Sequence, residues 1–549
     1  MRLRTENPPL PALRLQAALR WNGPQVAALV AFAALVARLP IMSGYAINWD
    51  SVQFALATEH FDLEAHRPHP PGYIGYVTAG RLLNFVTGDA NTSFVLLSVA
   101  AGVLAPALFL WLALRLLPRP RAIAATLLFA SSPLLWLYSG VGLTYALEAA
   151  LALGFGFTVW QANRQQGRWL LGASLTLAAL GAVRQTGIVL LLPLWLWALW
   201  PAAWTLRLQA GALLAAACLA WLVPLLWLSG GPAAYVRELR ALSEVVTTAN
   251  SLWAGTEEGI HENLRLVGLS LLAMLGAGLL LMAGRPRFAF LDRAAVPFLA
   301  LWVLPALTVF TAMHMGQAGY ALVLAPPFFL LLGGVLPESI VRGAPGAAAV
   351  AAAVVLNALL VLGLPAILYR DLSPDSELAI QLRQLVPSLS DDHWEEVIGF
   401  ISEYDPQSTA ILSSISGPKF DSSYRHTSYY LPEYRVYGVG PEWGVRLGYL
   451  YTARYRQDDY SISRPSIARS LLALPSEVRH LVIADSRVMT DFRFALPLTR
   501  HVLDDSTSVW TAEVEPGTTL VFNEDGSVVA AEGRAVFGPA QLAPSQLLK

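Results

Sequence analysis

The chain has 549 residues, of which 55% are hydrophobic and only 14% charged, against about 25% charged in ordinary soluble domains. Its formal net charge of −1 provides no field for nucleic acid. A single cysteine, Cys218, rules out an intrachain disulfide and argues against a cysteine-based zinc site.

The apolar excess lies in residues 24–367. Apolar runs there are long enough to cross a hydrocarbon core of roughly 30 Å at about 1.5 Å rise per residue. They predict an α-helical polytopic membrane bundle of about eleven helices. The spans fall near 24–41, 92–114, 122–138, 142–161, 169–183, 186–204, 208–229, 266–284, 295–312, 318–336 and 345–367. Arg184 and Gln185 interrupt one long apolar stretch, so the fifth and sixth spans also admit a broken helix with a short re-entrant piece. Residues 1–23 form a basic, proline-containing segment with no cleavable signal pattern, which makes the first run an uncleaved span.

Arginine supplies nearly all the positive charge, since lysine occurs only at Lys419 and Lys549. With eleven spans, Arg2, Arg4, Arg14, Arg20, Arg115, Arg119, Arg121, Arg164, Arg168, Arg207, Arg285, Arg287, Arg293 and Arg342 all fall on one side. The positive-inside rule makes that side cytoplasmic. The composition fits a GC-rich bacterial genome, and the expected location is the bacterial plasma (inner) membrane.

The opposite side carries two long loops, 42–91 and 230–265. Long loops on one side of a bundle are usually functional. In the first, VQFALATEHF and YIGYVTAGRLLNFV read as amphipathic helices lying in the interface, separated by the break Pro70-Pro71-Gly72.

From about 371 to 549 the composition becomes that of a soluble domain. Leu378–Leu385, His393–Ile401 and a stretch near 464–474 read as helical. Thr409–Ser413, Tyr434–Val439, His480–Ala484, Val509–Glu513 and Thr519–Phe522 read as strands. This alternation predicts a small extracytoplasmic α/β domain without a glycine-rich phosphate loop or a metal cluster.

The segment NWDSVQFALATEHFDLEAHRPHPPGY, 48–73, begins shortly after the first span. Asp50 is therefore placed at the outer membrane surface, with Tyr45 and Trp49 as interfacial aromatics. An acidic residue after the first span, an amphipathic first loop and an HPPGY sequence resemble the GT-C class of membrane glycosyltransferases. That class contains the protein O-mannosyltransferases and the lipid A aminoarabinose transferase. The likeness runs through 24–367, including AVRQTGIVLLLP at 182–193 and HMGQAGYALVLAPP at 314–327. The C-terminal domain is similar only in its placement and in YYLPEYRVY at 429–437.

The resemblance implies transfer of a sugar from a polyprenyl-phosphate donor to a glycan, lipid or protein acceptor. That chemistry wants a carboxylate base for the acceptor hydroxyl and a fixed cation for the departing phosphate. Asp50 is the candidate base; Arg184 and Arg81 are the candidate phosphate ligands. Glu59, His66, His69, Tyr73, Tyr145, His314, Gln317 and Tyr320 are candidate substrate contacts. Glu148 is a candidate partner for Arg184. His66 and His69 with Asp50 also have the donor types of a divalent metal site, though simple hydrogen bonding explains them as well. A transporter or lipid flippase, or a non-catalytic envelope assembly protein, are the other readings. No internal repeat supports the transporter.

The topology has a direct test. Alkaline phosphatase fused after residue 370 is expected to be active, and a fluorescent protein at the same point dark. Cytoplasmic reporter activity there would mean the span count is off by one.

Overall fold

The computed structural model describes residues 23–165, 167–282, 294–365, 367, 386–414, 424–440, 449–453, 471–503, 507–523 and 526–531. Among the described residues six helices are long and apolar enough to cross a membrane: Pro24–Ile41, Ala90–Leu116, Trp204–Leu228, Glu257–Met282, Ala295–Ala312 and Gly343–Leu362. Three shorter apolar helices, Arg168–Val183, Thr186–Leu199 and Ala325–Val335, lie among them.

Local signals set the helix ends. The Asp89 side chain accepts from Thr92 N and starts Ala90–Leu116, the usual N-cap arrangement. Gly88 at φ 72° closes the preceding helix, Ile74–Thr87, with its N–H on Asn84 O, a conformation glycine adopts freely. Helices then pack closely where a glycine meets a large ring. A Cβ on Gly156 would fall 2.0 Å from the Trp302 ring.

The stretch read as one span at 122–138 is broken. One helix runs Arg119–Ala130 and another Pro133–Tyr138, because Pro133 has no N–H to continue the ladder. The exposed carbonyl of Ala130 is capped by buried Arg38, whose Nη2 donates to it at 2.8 Å. The stretch read as a span at 318–336 likewise begins as a 3-10 turn, Ala318–Val323, before Ala325–Val335. Arg121 donates to the carbonyls of Gly333, Gly334 and Leu336. A cation is thus placed at the negative end of that helix. The second long loop is mostly helical, with Pro232–Asn250 followed by a helix that already starts at Glu257.

Both helices read in the first loop are present, as Trp49–Glu59 and Ile74–Thr87. The second exposes Leu82, Phe85 and Val86, as an interfacial helix does. The first is different, with every residue from Ser51 to Thr58 buried. Membrane helices cover one side and the C-terminal domain the other, so it is an internal element instead of a surface one.

The C-terminal domain is mixed α/β. Its strands are β1 (Thr409–Ser414), β2 (Arg435–Val439), β3 (Tyr449–Ala453), β4 (Leu471–Ala473), β5 (His480–Ile483), β6 (Arg493–Phe494), β7 (Thr499–Val502), β8 (Ser508–Glu513), β9 (Thr519–Phe522) and β10 (Ser527–Ala531). The larger sheet has the order β3-β2-β1-β5-β8-β7. β1 is parallel to both β2 and β5, and the outer pairs are antiparallel. A second sheet has the order β4-β9-β10-β6. The helix Pro387–Ile401 packs Val397 and Ile401 against the first sheet. All five strands read from the sequence are present within a residue or so. Leu471–Ala473, at the end of the stretch read as helical, is a strand paired with β9. Leu378–Leu385 lies outside the described residues.

Candidate active site

Asp50 lies in the first turn of Trp49–Glu59. Asn48 caps this helix, its side chain accepting from Asp50 N at 2.7 Å. A carboxylate is favoured there by the helix dipole. Gln317 Nε2 donates to Asp50 Oδ2 at 2.9 Å, and His69 Nδ1 stands 3.5 Å from Oδ1. Asp50 keeps 17% of its side-chain surface exposed, so it is held but reachable.

Gln53, one turn further along the helix, was not singled out by the sequence reading. Its Oε1 lies 2.6 Å from His69 Nδ1. Its helical spacing from Asp50 is the one sequence feature that relates the two. The other ring nitrogen of His69 is 2.9 Å from Tyr73 OH. A neutral ring protonated on Nδ1 satisfies both contacts, donating to Gln53 and accepting from Tyr73. Burial is the main cause holding His69 below its usual range, with Asp50 opposing it. Burial also holds Tyr73 in its neutral form, against the pull of Arg184.

His66 and Tyr73 bracket the turn that carries His69. Both have positive φ, 55° and 44°, a conformation costly for non-glycine residues and often found at functional sites. The Phe54 ring sits edge-on to Tyr73 and Tyr76, at 5.1 and 5.0 Å, and backs this turn. His66 is buried, and its Nδ1 has no hydrogen-bond partner among the described residues.

Arg184 follows the helix Arg168–Val183 in extended conformation. Its guanidinium carbon lies 3.7 Å from the centre of the Tyr320 ring and 5.4 Å from that of Tyr145. Nη1 reaches Glu148 Oε2 at 3.4 Å, so the partner read from the sequence is the one observed. Tyr138, not anticipated, stands edge-on to Tyr145 at 5.0 Å. The segment between Ala312 and Tyr320 links these parts. His314 Nδ1 is 2.9 Å from Asn250 Nδ2, Gln317 holds Asp50, and Tyr320 carries Arg184. Asn263 fixes this segment by accepting from Met315 N and donating to Phe310 O. Gln317 and Tyr320, three residues apart, thus join Asp50 and Arg184 in one constellation.

Two candidates lie outside it. Glu59 is at the far end of the Asp50 helix, about 13 Å along its axis. Arg81 is exposed and donates to the Glu59 carbonyl at 3.0 Å. A surface recess of about 660 Å³ is also separate, lined by Pro232, Ala233, Val236, Arg237, Arg240, Ala241 and Glu244. Among the described residues no group of three His, Cys, Asp or Glu side chains is placed to hold a metal ion. Both ring nitrogens of His69 are already engaged.

No family model and no curated protein matches the chain. Solved structures do resemble it. ArnT from Cupriavidus metallidurans bound to undecaprenyl phosphate is 14% identical, with a TM-score of 0.49 over 90% of this chain and 97% of that one. The oligosaccharyltransferase AglB from Archaeoglobus fulgidus, in complex with an inhibitory peptide and a dolichol-phosphate, is 11% identical. Its TM-score is 0.41 over 93% of this chain and 76% of its own. The arabinofuranosyltransferase AftD from Mycobacteria is 14% identical, at 0.40 over 83% and 35%. At these scores the roles of residues here rest on the site's own geometry.

The buried histidines give the site a pH dependence of defined sign. Burial holds both His66 and His69 below the usual 6.5. Between the folded and unfolded values the unfolded chain binds more protons, so stability rises with pH. It is full above 6.5 and lost as pH falls toward the folded values. Melting temperature is expected to decline from pH 7 to 5, and to decline less in a His66→Gln/His69→Gln double variant. Parallel curves would contradict the assignment.

Proposed function

We propose that this chain is a membrane glycosyltransferase that moves a sugar from a polyprenyl-phosphate donor to an acceptor hydroxyl on the extracytoplasmic side. The observation that carries the reading is the constellation itself. A partly exposed, doubly contacted carboxylate, Asp50, and a buried guanidinium, Arg184, are linked through Gln317 and Tyr320 of one short segment.

The roles follow from the chemistry. The acceptor oxygen attacks the anomeric carbon, and the bond from that carbon to the phosphate oxygen breaks. The hydroxyl proton passes to Asp50, and the phosphate departs as an anion toward Arg184. Gln317 holds the carboxylate through Oδ2, and the neutral His69 ring stands beside Oδ1, which is left to take the acceptor's proton. The rings of Tyr145 and Tyr320 lie against the planar guanidinium, and its N–H groups beyond the Glu148 contact would meet the phosphate oxygens. Neutral His69 and Tyr73 add hydrogen-bonding groups next to Asp50 without adding charge. His314 lies beside Tyr320, at 6.4 Å between ring centres, where sugar hydroxyls would pass. The carrier's isoprenoid tail stays in the bilayer or against apolar helix faces.

Radiolabelled undecaprenyl-phosphate hexoses and pentoses, offered to membranes containing the protein, test this reading. Asp50→Asn is expected to lower turnover about 10²–10⁴-fold, the range for loss of a general base, with insertion unchanged. Near-wild-type turnover would remove Asp50 from the mechanism. Arg184→Lys keeps a charge opposite Glu148 but loses the two-point fork, so donor affinity should weaken more than acceptor affinity. Unchanged donor affinity in both Arg184→Lys and Arg184→Gln would assign Arg184 to structure alone.

A further inference from the structure

We propose that the C-terminal domain is a positioning part of the active site, and that Asp391 is the residue through which it holds the chain leading to Asp50. The proposal rests on the assignment of Asp50 as base. The chain from Met42 to Asn48 has no regular secondary structure, so its path must be set from outside. Ser43 touches the bundle through Gly140 O and Asn91. Beyond it, Ile47 packs into the bundle's apolar cluster, and the polar grip on the backbone comes from the C-terminal domain.

Asp391 accepts from Gly44 N at 2.7 Å and from Tyr45 N at 2.9 Å, and lies 2.9 Å from Ser43 Oγ. Both polar groups of Ala46 are bound to the helix Tyr424–Tyr430. Its N–H donates to Tyr430 OH at 2.6 Å, and its carbonyl is 3.0 Å from His426 Nε2. Trp394 stacks on His426, with ring centres 5.0 Å apart and planes within 6°. Trp49, the residue before Asp50, is then buried in an apolar cluster of that domain with Val397, Tyr424 and Ala484. Tyr424 meets its edge at 5.9 Å, and the Arg425 guanidinium lies 4.9 Å over its ring.

Docking alone would need only the Trp49 plug. Asp391 instead fixes consecutive backbone N–H groups, and this sets the direction in which the chain enters the Asn48 cap. A displacement of about 1 Å at a reacting group can cost on the order of 10²-fold in rate. Asp391 touches no reacting atom; it acts through the position of Asp50.

The test uses the full-length protein in detergent or nanodiscs with a labelled undecaprenyl-phosphate sugar. Asp391→Asn replaces an acceptor oxygen by an NH₂ facing donors. It is expected to lower kcat about 10–100-fold with the KM for donor unchanged within about twofold. Asp391→Glu, which keeps both acceptors, should recover part of the loss. Amide exchange at residues 44–50 should accelerate in Asp391→Asn while exchange in β1, β2 and β5 stays slow. Glu396→Gln, exposed on the same helix, should change none of these. Wild-type kcat in Asp391→Asn overturns the proposal. So does a kcat loss matched by general unfolding of the domain, or one that Asp391→Glu does not relieve at all. Full turnover in Asp50→Asn would overturn the base assignment instead. Exchange at 44–50 would then decide separately whether the domain holds this segment.

Discussion

A guanidinium placed among apolar helices is the constraint around which the site is built. Arg184 is buried, and a buried charge needs a partner and hydrogen bonds to be tolerated. Glu148 supplies the opposite charge and a hydrogen bond, and the faces of Tyr145 and Tyr320 add cation–π attraction. The pairing joins the helices Tyr145–Gln165 and Arg168–Val183 to the turn Ala318–Val323. Removing one member of such a pair typically costs about 3–5 kcal/mol, so the three elements are fixed relative to one another. Because Gln317 belongs to the same segment as Tyr320, the arrangement that holds the cation also holds Asp50.

The Asp50 helix completes the site from the opposite direction. It is buried from Ser51 to Thr58, packed against Phe94 of a membrane helix, Tyr76 of the second loop helix and Trp49's partners in the C-terminal domain. A helix gripped on both sides places its first-turn carboxylate with little freedom. The strained turn with His66 and Tyr73 at positive φ brings the His69 ring back over that same turn of helix.

Hydropathy reveals composition along the chain, and so the bundle, the first loop and the C-terminal domain were legible in the sequence. It does not reveal backbone breaks inside a continuous apolar run, which is why the interruption at Pro133 and the 3-10 start at Ala318 were not. Asp50, His69, Tyr73, Arg184, Gln317 and Tyr320 stood out as polar groups at the ends of apolar runs, and they come together. Glu59 drew notice as a second carboxylate near Asp50 and Arg81 as a cation in the second loop helix, yet the length of the Asp50 helix puts Glu59 at its far end with Arg81 against it. Gln53 was hidden inside a helix that reads as amphipathic only when its surroundings are ignored. Asp391 and Arg425 were not legible at all, since nothing local relates them to a segment more than three hundred residues earlier.

The central claim is that one pocket places a phosphate on Arg184 and an anomeric carbon before Asp50. A structure of the protein in nanodiscs with a non-transferable phosphonate analogue of an undecaprenyl-phosphate sugar tests it most directly. The account predicts the phosphonate oxygens at hydrogen-bond distance from Arg184, about 3 Å, and the open face of the anomeric carbon turned toward the Asp50 carboxylate. A head group bound elsewhere, with Arg184 still engaged only by Glu148 and the tyrosines, would contradict it.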